Sequence, residues 1–124
     1  MNKQDLLIRT KQFSLRIINL AAQMLKQPGV ARILADQILR SGTAVGANYR
    51  ATCIAKSDKD FLNKLKICEE EADETGFWLD MLIESGTMRP ELLQDLRDEA
   101  SQITAILTAS IKTKKLHMQQ KTHS

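Results

Sequence analysis

The sequence predicts an all-α protein, an up-down-up-down antiparallel four-helix bundle. Three observations carry that reading. Apolar residues recur at three- and four-residue spacing through four long stretches. Pro- and Gly-containing breaks or a capping signal separate those stretches. No segment shows the period-two alternation of a half-buried strand. The connections are short, so consecutive helices must be antiparallel neighbours.

The first helix carries Leu6, Phe13, Ile17, Leu20 and Met24 on one face and stops at "KQPG", where Pro28 and Gly29 break the period. The second begins near Val30 and carries Ile33, Leu34, Ile38, Val45 and Tyr49, ending near "AKSD". Ser57 reads as the N-cap of the third helix, with Asp60 three residues on as an acidic variant of the capping box. That helix carries Phe61, Leu65, Cys68, Ala72, Thr75, Leu79, Leu82 and Ile83 and ends at "ESGTMRP", where Gly86 can supply a left-handed cap. Pro90 fits a first helical turn, and the fourth helix carries Leu92, Leu93, Leu96, Ala100, Ile103, Leu107 and Ile111. Residues 1–115 read as one domain, and residues 116–124 as a polar basic tail. The segment "KTKKLHMQQKTHS" is expected to fray.

Gly42 and Gly46 sit four apart inside the second stretch. Each costs about 1 kcal/mol against alanine in a helix interior. The helical period continues on both sides with no intervening proline, so one continuous helix is predicted. Its small face would then meet another helix closely. Ser41, Val45, Asn48, Thr52 and Ala55 form one stripe, and Gly42, Gly46, Tyr49 and Cys53 form the adjacent one. A phosphate cradle is the rival reading, but "GTAVG" follows no strand and lacks the Gly-Lys-Ser/Thr that a P-loop needs.

Composition limits the function classes. Hydrophobic residues make up 43% of the chain and aromatics only 4%, so the core must be built of aliphatic side chains and Met. No apolar run approaches the roughly 18 residues of a membrane span. "MNKQDLLIRTKQF" lacks the apolar centre of a signal peptide. A cytoplasmic protein without membrane contact is expected. Cys53 and Cys68 would lie roughly 10 Å apart after the chain folds back near Ser57, too far for a bridge.

"RSGTAVGANYRA" followed by "SDKDFLNKLKICEEEADETGFWLDMLIESG" resembles the four-helix bundle family encoded by intervening sequences in bacterial 23S ribosomal RNA genes. The resemblance spans roughly residues 5–112 and is strongest from Arg40 to Gly86. It implies a left-handed bundle that assembles as a homopentamer. A distant relative, the accessory variability protein of diversity-generating retroelements, is a pentameric barrel that binds nucleic acid and a reverse transcriptase. Most members of the family have no known activity. Cys53 and Phe77 depart from the pattern, Tyr being frequent at the latter position.

Charge is divided along the chain. Residues 1–66 hold 12 Lys and Arg against 4 Asp and Glu, while residues 67–111 hold 2 against 11. The final 13 residues add four lysines, for a formal net charge of +3. Charge alone leaves two readings open. The basic and acidic halves could face one another head to tail between subunits, as a ring requires, or be ordinary solvated faces. The resemblance favours the ring. Arg50 is expected to pair with Asp73, Glu74 or another acidic residue of the third helix, in the same chain or a neighbour, with Asn48 and Tyr49 hydrogen-bonded beside it. Trp78, like Phe77, is expected in a core or an interface. Gly42, Gly46, Asn48, Tyr49, Arg50, Asp73, Glu74 and Trp78 are thus the candidate packing and interface residues.

Catalytic and metal chemistry find little to use. Glu70 and Glu74 share a helix face, as do Glu69 and Asp73, but di-metal bundles pair inward-facing Glu with His, and the only histidines are His117 and His123. The serines lack a nucleophile-elbow context, and neither cysteine has a polarising neighbour in sequence. No enzymatic activity and no cofactor are expected. Two functions remain. The first is an oligomeric interaction scaffold that binds copies of itself, with any other protein partner unspecified. The second is sequence-nonspecific nucleic-acid binding, with Lys3, Arg9, Lys11, Arg16, Lys26, Arg32, Lys112, Lys114 and Lys115 as the candidate contacts. No aromatic platform accompanies those cations, so such binding would be electrostatic.

Overall fold

Asn2 opens the first helix with a complete capping box: its side chain accepts from the Asp5 N–H at 2.8 Å, and the Asp5 carboxylate accepts from the Asn2 N–H. The computed structural model describes residues 1–123. It comprises α1 (Lys3–Leu25), α2 (Val30–Cys53), α3 (Asp58–Glu84) and α4 (Pro90–His123), with no strand among the described residues. Each break behaves as its residues require. Gly29 (φ 77°) and Gly86 (φ 72°) are in the left-handed region open to glycine. The Ser57 hydroxyl accepts from the Asp60 N–H at 3.1 Å, and α4 starts on Pro90.

Consecutive helices pack against one another, giving an all-α up-down-up-down four-helix bundle. Phe13, Ile17 and Met24 of α1 meet Ile38 and Val45 of α2, Leu65, Leu79 and Leu82 of α3, and Leu93, Ile103 and Leu107 of α4 in one continuous core. Each fully buried side chain of this size contributes about 1.5–3 kcal/mol. The fourth seam, between α1 and α4, is sparse. There the Arg9 guanidinium donates to both Glu99 carboxylate oxygens, at 2.8 and 2.7 Å, and to the Gln102 carbonyl oxygen at 2.8 Å.

Three expectations are corrected. Ile33 is 72% exposed, and Leu92 is 58% exposed. The core uses their neighbours, half-buried Leu34 and fully buried Leu93, because one residue is a 100° turn of the helix. Residues 112–123, expected to leave the bundle, continue α4 as helix to His123, and Ser124 lies outside the described residues. Lys114 and Lys121, two helical turns apart on one face, both donate to the Asp58 carboxylate at the start of α3, at 2.8 and 3.0 Å. That clasp holds the polar extension against the bundle.

Candidate interaction surfaces

The glycine pair meets α1. α2 runs unbroken through Gly42 and Gly46. A Cβ on Gly42 would lie 2.7 Å from Cγ1 of Ile17, and one on Gly46 would lie 2.7 Å from the Ser14 hydroxyl and 3.3 Å from the Thr10 carbonyl oxygen. Side chains of α1, and at Gly46 the Thr10 carbonyl, therefore lie too close to the α2 backbone for any larger residue. Ser14 uses that closeness. Its hydroxyl donates to the Gly42 carbonyl at 2.8 Å and accepts from the Gly46 N–H at 3.0 Å, so one side chain of α1 spans a rung of the α2 ladder.

The opposite side of α2 is joined to α3 by buried polar contacts. The Thr75 hydroxyl donates to the Glu71 carbonyl of its own helix at 2.7 Å and is hydrogen-bonded with the Ser41 hydroxyl at 3.0 Å. The Cys68 thiol donates to the Val45 carbonyl at 3.2 Å. Burial, with Glu71 and Cys53 adding to it, pushes the Cys68 thiol up to about 12, and burial likewise raises Cys53. Both cysteines are free, and neither is activated as a thiolate. Burial also lifts the Tyr49 hydroxyl to about 12.

Within the chain, the carboxylates of α3 expected to pair with Arg50 pair with Arg40 instead. Its guanidinium reaches Glu71 at 3.1 Å and also contacts Glu74, whose carboxylate accepts from the half-buried Trp78 indole at 3.2 Å. Arg50 is exposed and makes no ion pair within the chain among the described residues. The reason is helix phase: ten residues on from Arg40, a side chain has turned about 80° away, toward α1. Asn48 and Tyr49 do not gather beside Glu74 either. The Asn48 amide donates to the Ala44 carbonyl of its own helix at 2.8 Å, and Tyr49 is buried at the far end of the bundle, near Cys53.

Arg50 instead borders an open groove of roughly 420 Å³ between α1 and α2. Leu7, Leu15 and Ile18 form one wall, Gly46 and Ala47 the other, and Lys11 and Arg50 stand on the rim. Across the molecule, α3 and α4 enclose a second groove of roughly 400 Å³. Phe77 stands there half exposed, its ring edge-on to Trp78, with exposed Asp73 and with Asp80, which accepts from Arg97 at 2.6 Å.

The candidate nucleic-acid contacts do not form one patch. Lys26 and Arg32 flank the α1–α2 turn, and Lys11 and Arg16 are exposed along α1. Arg9 is committed to Glu99. Lys3 and Lys114 face the Phe61 ring from 5.5 and 4.8 Å. Lys112 and Lys115 border a groove with Lys66. Besides the division between helices, the fold gathers basic side chains at one end of the bundle. The start of α1, the α2–α3 turn and the end of α4 come together at one end. Residues 1–10, 50–66 and 108–123, which build that end, hold eleven Lys and Arg against three Asp, with Glu69 and Glu70 bordering the groove of Lys66, Lys112 and Lys115 and Glu99 paired with Arg9. Sequence reasoning missed Lys56, Lys59, Lys64, Lys66 and Lys121 as members of this end. Counting charge by topological level instead of by chain half would have found them.

No helix of the described residues is long and apolar enough to cross a membrane. A search of curated proteins finds no match. A crystal structure from Bacteroides thetaiotaomicron, of a protein described as of unknown function from the S23 ribosomal protein family, is similar to this chain. The two share 34% identity and a TM-score of 0.83 over 90% of this chain and 99% of the other. The family model for 23S rRNA-intervening sequence proteins, whose description names no enzymatic activity, matches residues 2–109. By this match and by its four-helix fold, the chain belongs to the 23S rRNA-intervening sequence protein family.

Proposed function

We propose that this protein is a non-enzymatic cytoplasmic scaffold whose copies join head to tail into a closed ring, five-membered as the family resemblance implies. The observation that carries this reading is the pairing of two unlike grooves on opposite sides of the bundle. One is aliphatic with Lys11 and Arg50 on its rim. The other presents Phe77 beside Asp73 and Asp80. An aromatic side chain flanked by the Asp73 carboxylate, with Asp80 paired to Arg97 beside it, complements an apolar groove with flanking cations. Unlike surfaces at two places on one subunit generate a ring when the rotation closes. Light scattering on the purified chain tests it: the expected mass is about five times that of one chain. Lys11→Glu with Arg50→Glu is expected to dissociate the assembly while leaving the helix content unchanged. A monomer at micromolar concentration overturns the proposal.

A second reading is electrostatic binding of nucleic acid, and the lysine-rich end of the bundle favours it. A ring would repeat that end around its axis and multiply a weak phosphate contact.

A further inference from the structure

At the lysine-rich end the sparse α1–α4 seam opens into a cavity of roughly 450 Å³. This lies within the range of about 300–1,000 Å³ in which small-molecule sites fall. Its floor is apolar, made of Leu6, Leu65 and Ile106 with the ring of Tyr49. Its mouth is cationic and rich in donors. Lys3 comes from α1 and Lys114 from α4, and their ammonium groups lie 5.5 and 4.8 Å from the centre of the Phe61 ring. They are therefore no more than about 10 Å apart, the sum of those two distances. His117 and Thr113 of α4 complete the rim. None of the lining side chains is a carboxylate. Asp58, outside the lining, is shared by Lys114 and Lys121. Lys121 can hold Asp58 while Lys114 turns to another anion.

An apolar floor under two cations held by one aromatic ring is an arrangement for a molecule of two parts. We propose that this cavity binds a small amphipathic organic anion, a phosphate or carboxylate head on an apolar or aromatic body. The head lies between Lys3 and Lys114, and the body rests on Leu6, Tyr49, Leu65 and Ile106. The Phe61 ring holds each of the two ammonium groups through cation–π contact, so little ordering of long side chains is left for binding to oppose. A purely inorganic anion would leave the floor empty, and a neutral apolar molecule would make no use of the cationic mouth. The site therefore distinguishes the two-part ligand from either part alone.

Isothermal titration of the full chain with 1-naphthyl phosphate tests this, with 2-naphthoate as the carboxylate arm and 1-naphthol and inorganic phosphate as the single-part controls. One equivalent of 1-naphthyl phosphate or 2-naphthoate is expected to bind per chain, and the tighter of the two names the preferred head group. Each control is expected to bind at least about tenfold more weakly, the scale of one lost charge-assisted contact. Lys3→Gln is expected to weaken binding by a similar factor. Thr113→Trp, at an exposed position on the rim, is expected to abolish it with the melting temperature unchanged. The proposal is overturned if neither anion binds at millimolar concentration, if 1-naphthol or inorganic phosphate binds as tightly as the two-part ligands, or if Lys3→Gln and Thr113→Trp bind as the parent does.

Discussion

Ser14 and Gly46 are hydrogen-bonded across the α1–α2 seam, the glycine N–H donating to the serine hydroxyl at 3.0 Å. The glycine pair thus offsets its poor helix propensity with a backbone approach that a Cβ would forbid. Gly46→Leu is expected to cost about 1–3 kcal/mol through overpacking against Ser14 and Thr10. Ser14→Ala is expected to cost only about 1 kcal/mol, because the Gly42 carbonyl and Gly46 N–H are each other's natural helix partners. Urea unfolding of the two variants checks the order. A Ser14→Ala loss as large as that of Gly46→Leu would show that the hydroxyl, not the closeness, holds the seam.

Arg9 and Arg40 both join helices, but they differ in exposure. Arg9 is mostly buried and bidentate to Glu99, whereas the Arg40 side chain is 51% exposed. Arg9→Met is expected to cost about 1 kcal/mol and to speed amide exchange along the facing stretches of α1 and α4. Arg40→Met is expected to cost close to nothing after solvent screening. Equal losses in a denaturant titration would contradict this.

The clasp on Asp58 sets a pH dependence. Hydrogen bonds from Lys114 and then Lys121 lower its carboxyl from 3.8 to about 2 in the folded chain. A depressed folded value means that the contribution is fully present above 3.8 and is lost as pH falls through about 2. The end of α4 is expected to lose helicity over that window before the rest of the bundle unfolds. NMR shifts of residues 115–123 report it, and Asp58→Asn should leave that segment insensitive to acid.

If the lysine-rich end binds nucleic acid, binding of unrelated DNA and RNA fragments should be of similar strength. It should weaken linearly in log–log terms as salt rises. Replacing Lys59, Lys112 and Lys115 with Gln is expected to reduce that slope by roughly 0.9 for each phosphate contact removed from duplex DNA. Replacing Lys26 and Arg32, at the other end, should leave it unchanged. Equal effects from the two sets would mean that charge acts without regard to place.

The helices and their ends were legible because their signals are local. Gly86, Ser57 and Pro90 each act within a few residues of where they stand. The glycine pair was legible as a close contact, but its partner was not, since nothing near Gly46 names Ser14 thirty-two residues away. Helix phase was the weakest point. Choosing Arg50 over Arg40, or Leu92 as well as Leu93, depends on which neighbour a face meets, and a single apolar period leaves that open by tens of degrees. The helical extension of α4 was hidden for a related reason. Its composition is that of a solvated tail, and the Asp58 that Lys114 and Lys121 both hold lies far away in sequence.

The sparseness of the α1–α4 seam also bears on how the chain reaches this state. Each helix finds its principal packing partner in the one just before it, so little of the structure waits for the two ends to meet. Such a chain has mostly short-range contacts and should fold quickly for its length. During synthesis, α1 and α2 can pair through Ser14 and the glycines before α4 has left the ribosome, and each later helix can add to a surface already formed.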